Sequence, residues 1–126
     1  MHVVIIGGVA GGMSAATRLR RLSEEIEITV LEKGPYVSFA NCGLPYYVSG
    51  EISERSALIL QSPEQLKKRF NIDVHTETEA LEIDRQAKNI RINAKGKEAV
   101  INYDQLILSP GAQPVVPEIE GLAQAT

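Results

Sequence analysis

The sequence predicts an α/β fold, a doubly wound parallel sheet, and three observations carry that prediction. A β-branched apolar run at residues 2–6 (HVVII) feeds directly into Gly7 and Gly8. Residues 11–22 follow with helical periodicity. Residues 26–31 (IEITVL) then form a second apolar run that ends on Glu32. Strand, glycine turn, helix and strand within about 30 residues is the size of one βαβ unit.

Bulk properties fit that class. A chain of 126 residues supports one core and not two. Hydrophobic residues at 44% and charged residues at 23% are ordinary for a soluble globular domain. A net charge of −3 argues against a nucleic-acid or membrane-surface binder. The apolar start is far too short to span a bilayer, and no basic segment precedes it. The single cysteine cannot form an internal disulfide, which suits a reducing compartment, so a cytoplasmic location is expected.

Each element has a local cause. The run at 2–6 reads as a buried strand. In the first helix, Ala15, Leu19 and Leu22 recur at i, i+4 and i+7 and are the expected core stripe. Residues 33–50 have no clean period, yet they hold Tyr36, Phe39, Tyr46 and Tyr47, three of the four tyrosines and one of the two phenylalanines. That much aromatic surface predicts a segment packed against something, with a short helix after Cys42. Ser62-Pro63-Glu64-Gln65 opens a second long helix, with Ser62 as cap, Pro63 in the first turn and Gln65 three residues on. That helix is expected to end near Phe70, and a third strand at 72–76. Three strand-like runs at 79–84, 89–94 and 98–103, separated by polar turns at 85–88 and 95–97, predict an antiparallel meander. Residues 106–108 are expected as a fourth buried parallel strand entering Ser109-Pro110-Gly111. The tail, residues 114–126, shows no strong period.

The turn Gly7-Gly8-Val9-Ala10-Gly11-Gly12 is a phosphate-binding candidate. In the G-x-G-x-x-G fingerprint the first glycine permits the tight turn, the second admits a pyrophosphate, and the third lets helix and strand approach. Gly7 and Gly12 fill the first and third places, and Val9 occupies the second. Glu32 follows Gly12 by 20 residues, at a strand end, where an acidic side chain accepts hydrogen bonds from an adenosine ribose. Strand, turn, helix and acid together predict dinucleotide binding.

The segment Ser38-Phe39-Ala40-Asn41-Cys42-Gly43-Leu44-Pro45-Tyr46-Tyr47 carries a more specific signal. It resembles the single-cysteine branch of the FAD-dependent pyridine nucleotide-disulfide oxidoreductases, which includes coenzyme A-disulfide and persulfide reductases, NADH oxidases and NADH peroxidases. Glutathione-type relatives carry a second cysteine five residues on, where this chain has Tyr47. The stretch 103–112 (YDQLILSPGA) is similar to the second flavin motif of those flavoproteins. The resemblance implies a Rossmann-like FAD-binding domain with a β-meander crossover, of which residues 1–126 are a partial N-terminal segment. NAD(P)H and dimerisation domains are expected outside this chain, the crossover to the former starting after residues 117–121. A whole enzyme of this kind is expected to be a homodimer, and residues 1–126 alone to show no turnover and at best weak FAD binding.

The resemblance also implies site roles. Cys42, with Asn41 and Ser38 beside it, is the expected catalytic group. Gly7, Val9, Ala10, Gly11, Gly12, Glu32, Lys33, Ala80, Ser109 and Gly111 are expected to bind the cofactor. A thiolate is the reactive form of cysteine and is favoured by a helix N-terminus or a stacked flavin. Ser14, Arg18 and Arg21, spaced i, i+4 and i+7, share one helix face. With Ser38 and Asn41 they are expected to contact coenzyme A, since guanidinium groups suit phosphate oxygens. The alternative is a solvated basic face of Arg18, Arg20 and Arg21. Phe70 stands where some family members place a substrate-binding lysine, and Ala10 where NADH peroxidases carry a histidine. The implied reaction is NAD(P)H-driven reduction of coenzyme A disulfide, persulfide or polysulfide through a Cys42 mixed disulfide. The alternatives are an NADH oxidase working through a Cys42 sulfenate, or a non-catalytic nucleotide-binding module. His2 and His75 are expected at the surface and do not build a metal site with one cysteine.

Overall fold

The computed structural model describes residues 1–113 and 115–121. Of the expected tail, residue 114 and residues 122–126 lie outside the described residues. Seven strands and three α-helices run in the order β1 (His2–Ile6), α1 (Ala10–Leu22), β2 (Glu27–Leu31), α2 (Leu44–Val48), α3 (Pro63–Phe70), β3 (Asp73–His75), β4 (Thr78–Asp84), β5 (Asn89–Ala94), β6 (Lys97–Asn102) and β7 (Gln105–Leu108). Short 3-10 turns at Asn41–Gly43 and Arg55–Leu58 flank α2.

A parallel sheet in the order β3-β2-β1-β7 forms the middle layer, and a separate antiparallel sheet, β4-β5-β6, lies beside it. Alternation along β1 explains the layering. Val3 and Ile5 point to one face and pack with Ile28, Val30, Met13 and Ala16 of α1, and Leu66 of α3. Val4 points to the other and packs with Leu31, Ile90 and Ile92. Helices cover one face of the parallel sheet and the meander covers the other. A strand buried on both faces reads as a continuous apolar run, and residues 2–6 do.

The register positions the site. Ile6 pairs with Leu31 on one side and with Leu108 on the other. Gly7, Glu32 and Ser109 therefore leave the sheet along one carboxyl edge, where ligands bind in open α/β sheets. Helix α3 begins with the expected capping box: Ser62 accepts from the Gln65 N–H, and the Gln65 side chain accepts from the Ser62 N–H. Asn71 ends it in the left-handed conformation. Among the described residues no helix is long and apolar enough to cross a membrane.

Four expectations are corrected. Leu22 is exposed; the buried row of α1 is Gly12, Met13, Ala16 and Arg20, with Ala15 and Leu19 only half-buried. Arg20 takes an interior place because its guanidinium donates to four backbone carbonyls, those of Phe70, Asn71, Ser23 and Glu24, at 2.6–3.2 Å. The strand β7 is not buried throughout: it lies at the sheet edge, and Leu108 is exposed. The aromatic segment is covered only in part, Phe39 being half-buried and stacked on Tyr36. Tyr36, Tyr46 and Tyr47 are exposed, and Val37, Gly43 and Leu58 are its buried anchors. His75 is exposed as expected, whereas His2 is half-buried, its Nε2 2.8 Å from the Thr29 hydroxyl.

Candidate active site at the carboxyl edge of the sheet

The glycine turn is fixed by contacts that exclude side chains. A Cβ on Gly12 would overlap the Gly7 carbonyl, and one on Gly7, whose φ is +100°, would overlap the Ser109 carbonyl. The β1 turn is thus pressed between α1 and the end of β7. The Ser109 hydroxyl reinforces this by donating to the Ile6 and Gly7 carbonyls, at 3.0 and 3.2 Å. Ser109 acts on the turn itself, a role its expected place among cofactor contacts did not suggest. At the start of α1 no side chain caps the helix. Its first N–H groups and positive dipole end are left for an anionic group.

Glu32 closes the other side. Its carboxylate accepts from the Gly8 and Gly34 N–H groups, both at 2.7 Å. Gly7, Glu32, Lys33 and Ala80, all expected cofactor residues, line one cavity of about 260 Å³. Thr78, Pro110 and Gln113 join them there. Sequence reasoning missed Thr78, which enters because its N–H donates to the Glu32 carbonyl across 46 residues of chain, a long-range bond with no local signal. Lys33 also pairs with Glu79 at 2.7 Å. A Cβ on Gly111, whose φ is +74°, would meet no other group within 4 Å. Gly11 only reaches ordinary contact with Ser109.

These features fit an adenine dinucleotide such as FAD. Gly7 and Gly12 cannot accept side chains, the helix end is uncapped, and an acid lines the cavity. Gly7, Gly11 and Gly12 would face the pyrophosphate and Glu32 the ribose.

A second cleft, of about 430 Å³, joins the glycine turn to the cysteine. Val9 and Ala10 form one wall, and Ser38, Phe39, Ala40, Asn41, Cys42 and Leu60 the rest. Cys42 is a free, exposed thiol within the 3-10 turn Asn41–Gly43. The segment is tied to the turn by backbone: the Ser38 N–H donates to the Gly8 carbonyl at 2.9 Å. Phe39 then bridges Ile59, and the Ala40 N–H donates to the Leu58 carbonyl at 2.8 Å. The structure brings Ser38, Asn41 and Cys42 together with Val9 and Ala10. Leu60 had no signal beyond its hydrophobicity.

Ser14, Arg18 and Arg21 are all exposed on α1. Ala10, which lines the cysteine cleft, starts the row that they continue at i+4, i+8 and i+11. At 1.5 Å per residue the row runs for about 16 Å away from the cleft. Arg21 also borders a cleft of about 450 Å³ with Arg69 and Phe70, where the Arg69 guanidinium lies over the Phe70 ring. Arg20 leaves the basic face for the interior, so a solvated patch of three arginines is not what forms.

The chain is similar to known proteins along nearly its whole length. A family model described as pyridine nucleotide-disulphide oxidoreductase matches residues 1–126. The reduced CoADR-RHD of Bacillus anthracis superimposes with a TM-score of 0.91 at 50% identity, over 98% of this chain and 22% of that one. The NAD(P)H coenzyme A polysulfide/persulfide reductase of Pyrococcus horikoshii is 42% identical over 95% of this chain and 26% of its own length. An NADH oxidase of Methanocaldococcus jannaschii is 35% identical over 96% of this chain and 27% of its own. The chain therefore spans about a quarter of the length of the relatives it matches.

Proposed function

Because the chain belongs to the pyridine nucleotide-disulphide oxidoreductase family, we propose that it is a partial FAD-binding domain of an NAD(P)H-dependent reductase of coenzyme A disulfide, persulfide or polysulfide. The observation that carries this reading is the shared cleft, which the exposed Cys42 lines together with Val9 and Ala10 of the glycine turn. A thiol in the same cleft as the turn that would cradle a dinucleotide supports electron transfer to sulfur as its role.

FAD bound along Gly7–Gly12 and Glu32 would supply the two-electron link from NAD(P)H. The chain's own residues do the rest. The Cys42 thiolate attacks one sulfur of the substrate disulfide, forms a mixed disulfide and releases the other half as a thiolate. Two electrons then cleave the mixed disulfide, restoring the Cys42 thiolate and releasing the second thiol. Asn41 borders the reacting sulfur and orients the substrate, and Ser38 lines the same cleft. Ser14, Arg18 and Arg21 extend the site along α1 over a length suited to an elongated thiol bearing phosphates. Guanidinium groups recognise phosphate oxygens by paired charge-assisted hydrogen bonds. By the same reading the complete enzyme adds NAD(P)H and dimerisation domains and works as a homodimer in the cytoplasm, where a free exposed thiol stays reduced.

A second reading, oxygen reduction through a Cys42 sulfenate, is favoured by the similarity to an NADH oxidase. Mass spectrometry of the full-length protein, isolated without reductant, separates the two. A coenzyme A adduct on Cys42 supports the disulfide reductase. A Cys42 trapped by a sulfenate-selective reagent, with no adduct, supports the oxidase.

A further inference from the structure

We propose that Ser38 is a positioning residue that acts through its backbone, its left-handed conformation setting the path that carries Cys42 to the cleft. Five non-glycine residues have positive φ among the described residues: Ser38, Asn71, Glu77, Lys88 and Lys95. The last four are exposed and sit at a helix end or in turns, where this conformation is common. Ser38, with φ +50°, is the exception: it is half-buried and lines the cysteine cleft.

Its two backbone groups are both engaged. The N–H donates to the Gly8 carbonyl at 2.9 Å, and the carbonyl accepts from the Leu60 N–H at 3.2 Å. These bonds join Ser38 to two separate stretches of chain, the glycine turn and the stretch that bridges Phe39. The left-handed φ lets one residue satisfy both. Downstream, the Gly43 N–H donates to the Ala40 carbonyl at 2.9 Å and closes the turn that holds Cys42. The chain from Ser38 to Cys42 is only four residues long, so a change of φ at Ser38 displaces the thiol. Non-glycine residues kept at positive φ persist where the surroundings over-determine them, and they cluster at functional sites.

The role is separable from that of the hydroxyl. Ser38→Thr keeps a hydroxyl but adds a β-branch, which resists positive φ. Ser38→Gly and Ser38→Asn lose the hydroxyl and accept that conformation. In the full-length flavin-loaded protein, two readouts are compared at matched flavin content: kcat with coenzyme A disulfide, and the rate at which iodoacetamide alkylates Cys42. We expect Ser38→Thr to lower kcat by about tenfold or more, the scale of a small misplacement at a reacting centre, with KM for NAD(P)H within about twofold of the parent. The alkylation rate should shift by about fivefold or more, and Ser38→Gly and Ser38→Asn should each recover most of both losses. A Ser38→Thr protein that matches the parent would overturn the proposal. So would Gly and Asn variants that fall as far as Thr, since residues that accept positive φ would then do no better than one that resists it. If Ser38→Thr does not retain flavin, the other two decide: an alkylation rate near the parent's supports the proposal, and a loss of about tenfold in both rejects it. The turnover readout rests on Cys42 being the reacting sulfur. The alkylation readout does not, so a failure of the functional reading and a failure at Ser38 are told apart.

Discussion

Around Gly7 and Gly12, backbone presses on backbone: each glycine faces a carbonyl oxygen that no side chain could share space with. Ten residues past Glu32, the turn at Asn41–Gly43 is held differently. Its one tight glycine, Gly43, faces the Cδ2 of Leu58, the movable end of a side chain, and Cys42 beside it is exposed. The cradle for a dinucleotide is thus rigid by exclusion, and the cysteine segment is placed by a few long-range hydrogen bonds to Gly8, Leu58 and Leu60. The difference suits what the proposed function asks of each. A phosphate site needs fixed N–H groups at close range. A thiol that forms and breaks bonds to a small molecule needs access, and so cannot be enclosed.

Substitutions sharpen the contrast in graded steps. Gly12→Val, which forces a side chain onto the Gly7 carbonyl, should cost more than about 3 kcal/mol and abolish FAD retention in the full-length protein, measured by denaturant unfolding and flavin absorbance. Glu32→Ala leaves the Gly8 and Gly34 amides without their acceptor and should cost about 2 kcal/mol, with weaker flavin retention. Ser109→Ala removes one hydroxyl that serves two carbonyls and should cost about 1 kcal/mol by the same measurement. Gly43→Ala presses on side chains alone, the tip of Leu58 first, and its unfolding free energy should change by no more than about 1 kcal/mol. Equal losses at Gly12 and Gly43 would break the comparison.

The same contrast governs how much could be read from the sequence. The glycine turn, the Glu32 spacing and the Ser62–Gln65 capping box are local, so residue type and offset suffice. The meander was legible because its polar turns interrupt alternating runs. Arg20 was not. A charged residue next to Arg18 and Arg21 reads as exterior until the four carbonyls that bind it, two of them about fifty residues away, are brought together. Once Arg20 turns inward, the buried row of α1 rotates and Leu22 is left exposed. Leu108 has a similar cause, since nothing in residues 105–108 tells that β7 lies at the sheet edge. In the site, Cys42 was identifiable by resemblance. Ser38 and Asn41 were named with it, whereas Gly8, Leu58 and Leu60 join that segment only through backbone bonds between distant stretches of chain.

The most direct test of the account is turnover of coenzyme A disulfide by the full-length protein carrying Cys42→Ser. Since Cys42 is exposed, the substitution should leave stability within about 0.5 kcal/mol of the parent and flavin content unchanged. The account predicts that disulfide reduction falls to background in that protein. Disulfide reduction at the parent rate, with flavin fully bound, would contradict it.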